Sequence, residues 1–153
     1  MPLAMATFLR GISHLGLGIG DYEWVDMNSE PDADGTIRIF VMPPDDTPFA
    51  GGLFSINLKV PDIYPQKPPE VSFNTRIWHP LVDWDSGRIC QDFFREGWEV
   101  REGPTGLLAR IRSFFYVGKV HSAVNFEAAE QLSRGDGSYE EQVRAETVRY
   151  AGN

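Results

Sequence analysis

The chain has 153 residues, 42% of them hydrophobic and 12% aromatic, which is enough to fill one core and excludes global disorder. Lys and Arg total 14 against 22 Asp and Glu, a net charge of −8, which argues against nucleic acid as a partner. One cysteine excludes an internal disulfide and a cysteine-based zinc site. No apolar run approaches the roughly 18–20 residues of a membrane span. Met1 to Ala6 also lack the basic flank and apolar stretch of a secretory signal. The expectation is one acidic, soluble, monomeric domain over 1–153, working in the cytoplasm or nucleus, with a single thiol to be explained.

Residues 6–15 place Phe8, Ile12 and Leu15 at helical spacing, which predicts a short N-terminal helix ended by Gly16, Gly18 and Gly20. That glycine run follows no strand and opens no helix, so it reads as a connector rather than a phosphate loop. Strands are predicted at 22–26 (YEWVD), 36–42 (TIRIFVM), 53–60 (LFSINLKV) and 70–74 (EVSFN). The third alternates Phe54, Ile56, Leu58 and Val60 against Ser55, Asn57 and Lys59, the period of a half-buried strand. Pro-, Asp- and Gly-rich connections between them predict an antiparallel meander. The segment PDIYPQKPP (61–69) is a rigid surface loop, because proline lacks the N–H that a ladder needs.

Residues 75–104 show no sustained period. So long an irregular stretch inside a small domain is uncommon unless it is functional. Helices are expected again at 105–115, with Leu107, Leu108, Ile111, Phe114 and Phe115 on one face, then from Asn125 as N-cap to Gly135. A Ser138–Glu141 capping box opens the last helix. The fold class is α+β: N-terminal helix, four-stranded antiparallel meander sheet, C-terminal helices.

Chemistry points first to Cys90. A lone cysteine is commonly a small buried hydrophobe, but this one ends the irregular stretch rather than sitting on an apolar periodic face. A cysteine peptidase would need a partner histidine; His79 precedes the thiol, and His121 follows it without a local signature. His14 and His121 read as solvated side chains. Asp83 and Asp85 lack the frame of a calcium loop, so no metal site is expected. Trp78, Trp84 and Trp98 have the size to pin a long loop to its domain.

Read in order, the chain gives PPDDTPFAGGLFSINLKVP, YPQKPPEVSF, WHP, GRICQD, a downstream Trp98, and NFEAA before the last helix. From about residue 36 to 150 this resembles the ubiquitin-conjugating enzymes, the E2 family. Their pattern is a Gly-Gly strand opening, a Tyr-Pro-x-x-Pro-Pro loop, a His-Pro-Asn turn and Gly-x-Ile-Cys. FREGWEV and the NFEAAEQL and YEEQVRAETVRYAG stretches are also similar to the branch that conjugates NEDD8.

The resemblance implies that Cys90 accepts the C-terminal glycine of ubiquitin or a ubiquitin-like protein from an activating enzyme (E1) as a thioester. It would then pass the acyl group to a substrate lysine or to a ligase (E3) cysteine, without metal or organic cofactor. His79, Pro80 and Trp98 take the place of active-site loop support. The family's asparagine, which stabilises the oxyanion, is Leu81 here, a residue with no side-chain donor. Ser122 falls near the family's acidic gate residue, and the span from His79 to Cys90 is one residue longer than usual. Gln66 replaces a frequently apolar residue of the proline loop, and the first helix offers only Arg10 and His14 as basic groups. The alternative implied by these departures is a catalytically impaired scaffold or ubiquitin-binding module.

Overall fold

The computed structural model describes residues 1–152 apart from Ser29, Lys119 and His121. The first helix, α1, is Leu3–Ser13. It begins earlier than expected because Ala4 and Met5 extend the buried stripe of Phe8 and Ile12 towards the N-terminus, and Leu15 lies beyond its end. Phe8 is fully buried and meets Tyr64 edge-on, with ring centroids 5.4 Å apart.

Strands β1 (Val25–Met27), β2 (Ile37–Val41), β3 (Phe54–Lys59) and β4 (Glu70–Phe73) form one sheet in the order β1-β2-β3-β4, every pair antiparallel. The meander expected from the connections is therefore present. β1 starts later than YEWVD suggested, because the Trp24 indole N–H donates to the Asp21 carbonyl (3.1 Å) and keeps that stretch in the preceding turn. The period-two pattern sets the register: Ile39 faces Ile56, and Ile56 faces Phe73. Ile37, Ile39, Val41, Phe54, Ile56 and Leu58 are all essentially inaccessible, each such side chain contributing roughly 1.5–3 kcal/mol relative to exposure.

The covering helices are α2 (Asp92–Arg95), α3 (Gly103–Phe114), α4 (Phe126–Arg134) and α5 (Ser138–Ala151). α3 buries Leu107, Leu108, Ile111 and Phe114. Its last turn meets the sheet through aromatics, Phe73 against Phe114 at 5.9 Å and Phe54 against Phe115 at 5.8 Å. The Asn125 side chain accepts the Ala128 N–H as N-cap of α4, and Gly135 ends that helix in the left-handed region. α5 departs from expectation. Gly137 stands at its N-cap, Ser138 is already helical, and the Ser138 hydroxyl donates to Asp136 instead of closing a box with Glu141. The C-terminal end of α5 returns to the sheet, where the Leu53 N–H donates to the Ala151 carbonyl at 2.9 Å. Among the described residues no helix is long and apolar enough to cross a membrane.

Candidate active site around Cys90

Beyond β4 the chain doubles back in a tight excursion that delivers Cys90 to the surface. Val82 and Ile89 pair as an isolated bridge, and the Asp83 N–H donates to the Arg88 carbonyl at 2.8 Å. The turn between them is closed by the Asp83 carboxylate, which accepts the Ser86 N–H at 2.8 Å. The Ser86 hydrogen bonds hold that carboxyl below its ordinary range. Gly87 lies directly against β4: its carbonyl accepts the Phe73 N–H, and a Cβ there would stand 1.9 Å from the Phe73 oxygen. The glycine of the Gly-x-Ile-Cys motif is thus required by a backbone crossing with positive φ.

His79 is fully buried and its ring stacks on Phe114, centroids 4.0 Å apart at 3°. Its Nδ1 accepts the Leu81 N–H at 3.0 Å, and its Nε2 lies 2.8 Å from the Phe114 carbonyl. Because an N–H can only donate and a carbonyl only accept, Nδ1 is bare and Nε2 carries the hydrogen. Burial pulls the imidazole down to about 4, opposed in part by the Phe114 hydrogen bond, so the ring is neutral at pH 7. With both nitrogens engaged, His79 has none to offer a reacting group.

Pro80 is buried, and its carbonyl accepts two N–H groups, from Val124 at 2.8 Å and Asn125 at 3.0 Å. The next carbonyl, that of Leu81, accepts the Cys90 N–H at 3.0 Å. The Leu81 side chain is half-buried against the core. His79, Pro80, Leu81 and Cys90 therefore form one hydrogen-bonded unit, in which position 81 acts through its backbone alone. Cys90 is partly exposed and is the chain's only thiol. Gln91 fixes the residue after it: the side-chain amide donates to the carbonyls of Val71 (2.9 Å) and Ile89 (3.1 Å). Sequence reasoning missed Gln91, Val124 and Asn125 in this role, because none lies on a periodic face. Ser122 is exposed, and His121 lies outside the described residues.

The three tryptophans tether this region to three different elements. Trp78 donates to Gln131 of α4 at 2.8 Å, and Trp84 meets Tyr150 of α5 edge-on at 5.4 Å with the Arg76 guanidinium above it. Trp98 is half-buried, and its indole N–H donates to the Pro65 carbonyl at 2.9 Å. It braces the proline loop and does not touch the His79–Cys90 unit through this bond. Behind it, Arg110 reaches both Glu102 oxygens (2.9 and 3.1 Å) and the carbonyls of Phe93 and Glu96, holding the segment after Cys90 on α3. Asp85 pairs with Arg76 at 3.4 Å. Among the described residues no three His, Cys, Asp or Glu side chains gather as a metal site.

The arrangement can present a nucleophilic sulfur on a braced loop, with both His79 nitrogens engaged and no side-chain oxyanion donor at position 81. A family model described as ubiquitin-conjugating enzyme matches residues 25–147. Ubiquitin-conjugating enzyme E2 N of Macaca fascicularis is 33% identical over 129 residues, which cover 83% of this chain and 84% of that protein. Among solved structures, a Plasmodium yoelii chain assigned as a ubiquitin conjugating enzyme superposes with a TM-score of 0.80 at 22% identity, covering 99% of this chain and 95% of its own. S. cerevisiae Ubc12 gives 0.75 at 23% identity, with 94% and 78% covered. The two structural likenesses bear on the fold, and the family model and the macaque sequence bear on descent: the chain belongs to the ubiquitin-conjugating enzyme family.

Proposed function

We propose that the chain is an E2-type conjugating enzyme, one catalytic domain in which Cys90 carries ubiquitin or a ubiquitin-like protein as a thioester. The observation that carries this reading is the sole thiol, partly exposed and held by the Leu81 carbonyl at the end of the braced loop. The Cys90 sulfur attacks the carbonyl carbon of the activating enzyme's thioester, and that enzyme's thiolate leaves. A lysine amine of a substrate, or a ligase cysteine, then attacks the new thioester, and the Cys90 thiolate leaves in turn. The proton released by a lysine goes to solvent or to a base other than His79, both of whose nitrogens are engaged.

The test is charging with activating enzyme, ATP and a panel of modifiers. A thiol-cleavable adduct is expected with the wild type. Cys90→Ser should give a thiol-resistant oxyester or nothing, and Cys90→Ala nothing. Equal charging of Cys90→Ala would overturn the assignment. FREGWEV and the NFEAAEQL stretch support NEDD8 as the modifier to set against ubiquitin. Failure to charge with every modifier would favour the scaffold or ubiquitin-binding reading, to which Leu81 lends weight.

A further inference from the structure

Helix α4 holds the loop ahead of Cys90 at two separate points. Its start grips the Pro80 carbonyl through the Val124 and Asn125 N–H groups. Roughly two turns further along the same helix, Gln131 Oε1 accepts the Trp78 indole N–H at 2.8 Å. Trp78 and Pro80 flank His79, so the two attachments together fix this stretch against rotation about either one. Gln131 stands where an amphipathic helix calls for an apolar side chain: it and Ala128 are the buried residues of α4, and Gln131 is only 8% exposed. A buried amide is destabilising unless both of its ends are bonded. Here both are, since Gln131 Nε2 donates to Gln142 Oε1 of α5 at 2.7 Å. The polarity has one solution. An indole N–H only donates, so Gln131 turns its oxygen to Trp78 and its NH2 to α5, where Gln142 accepts.

We propose that Gln131 is a positioning residue for the Cys90 reaction, with Gln142 aligning its amide. Gln131 sets Trp78, and Trp78 sets the His79–Leu81 segment that follows it. His79 Nδ1 accepts the Leu81 N–H, and the Leu81 carbonyl accepts the N–H of Cys90 itself. The path therefore runs from α5 through α4 to the backbone of the thiol. An apolar side chain at 131 would fill the same space without a desolvation cost, so the amide adds orientation to burial.

Two variants of the full chain separate orientation from packing. Gln131→Met keeps nearly the same length and removes both hydrogen bonds. Gln131→Glu keeps both in either protonation state, with Gln142 turning its amide where needed. In native-state hydrogen exchange of the uncharged chain, Gln131→Met should lower protection of the Leu81 and Cys90 amides about tenfold more than that of Ile56 and Leu58 in β3. The kinetic measurement rests on Cys90 carrying a thioester, as proposed above. With the thioester formed, Gln131→Met should discharge onto an amine acceptor about tenfold more slowly at saturation, with the half-saturating concentration unchanged, the signature of lost orientation rather than lost binding. Gln131→Glu should stay within about threefold of the wild type in both measurements. If Gln131→Met does not fold, Gln142→Leu, at the partly exposed end of the path, should show the same ordering at smaller amplitude. Three results would overturn the assignment and leave Gln131 a packing residue. They are a uniform loss of protection across loop and β3, an unchanged discharge rate in the folded variant, and equal slowing by Gln131→Met and Gln131→Glu. A wild type that never charges would instead overturn the thioester reading, and the exchange measurement would still decide the role of Gln131.

Discussion

Leu81 contributes to the active-site loop through its backbone and not through its side chain. Its backbone still receives the Cys90 N–H and gives its own N–H to His79, so the thiol is positioned as firmly as hydrogen bonds allow. Its side chain, turned to the core, gives nothing to a developing oxyanion. Exchange of one thioester for another asks less of the loop than attack by an amine, and an oxyanion donor is worth about 10²–10³ in rate. Charging of Cys90 should therefore proceed, while single-turnover discharge onto free lysine runs about 100-fold slower than in a member carrying His-Pro-Asn. Discharge onto a ligase cysteine should be much less affected. A lysine rate equal to that of such a member would show that Leu81 carries no penalty.

The Gly87 crossing governs the element that carries the thiol. Adding a Cβ there brings a methyl 1.9 Å from the Phe73 oxygen at a φ of 75°, so either β4 or the 83–90 excursion must give way. Gly97→Ala is the matched control, since its φ is 68° but nothing lies within 4 Å of the added atom. Gly87→Ala should cost roughly 2–4 kcal/mol in urea unfolding and disturb Cys90 reactivity, and Gly97→Ala only about 1 kcal/mol. Equal costs would mean that φ alone matters.

Elements of this kind divide sharply in how well a sequence shows them. β3 was legible because Phe54, Ile56 and Leu58 repeat at the sheet's own period and the core accepts them as written. Asn125 and Gly135 were legible because caps act over a few residues. α2 was not, since four residues are too few to display a helical period. The Ser138–Glu141 box failed because Asp136, two positions earlier, captured the hydroxyl. At the site, Cys90, His79 and Leu81 stood out through motif spacing. The partners of Trp98 and Pro80 lie 33 or more positions along the chain, and no local pattern reports a contact at that range.

On the scale of the molecule, His79 links the active-site loop to acid stability. The folded value is about 4 and the unfolded value about 6.5. Between them the unfolded chain binds the extra proton, so stability rises with pH. The contribution is complete above about 6.5, falls as pH drops through that window, and is gone below about 4, a total on the order of 3 kcal/mol. The carboxyls of Asp34, Asp83, Glu102 and Asp136 are lowered by hydrogen bonds. Their stability is lost at still lower pH, which leaves the upper window to His79. Urea midpoints measured from pH 4 to 7 should slope upward in the wild type and flatten in His79→Gln. An unchanged slope in that variant would assign the acid sensitivity elsewhere.

The paired hydrogen bonds from Val124 and Asn125 to the Pro80 carbonyl bear on how pieces of this protein can be exchanged with its relatives. They join two stretches far apart in the chain at a single oxygen, so neither stretch is a self-contained cassette. A chimera that imports a relative's 79–90 loop receives a new Pro80 environment but keeps the old start of α4. The reverse graft strands the same oxygen from the other side. The smallest transplantable unit is the pair, loop and helix start together, and catalytic traits grafted between family members should travel as that pair.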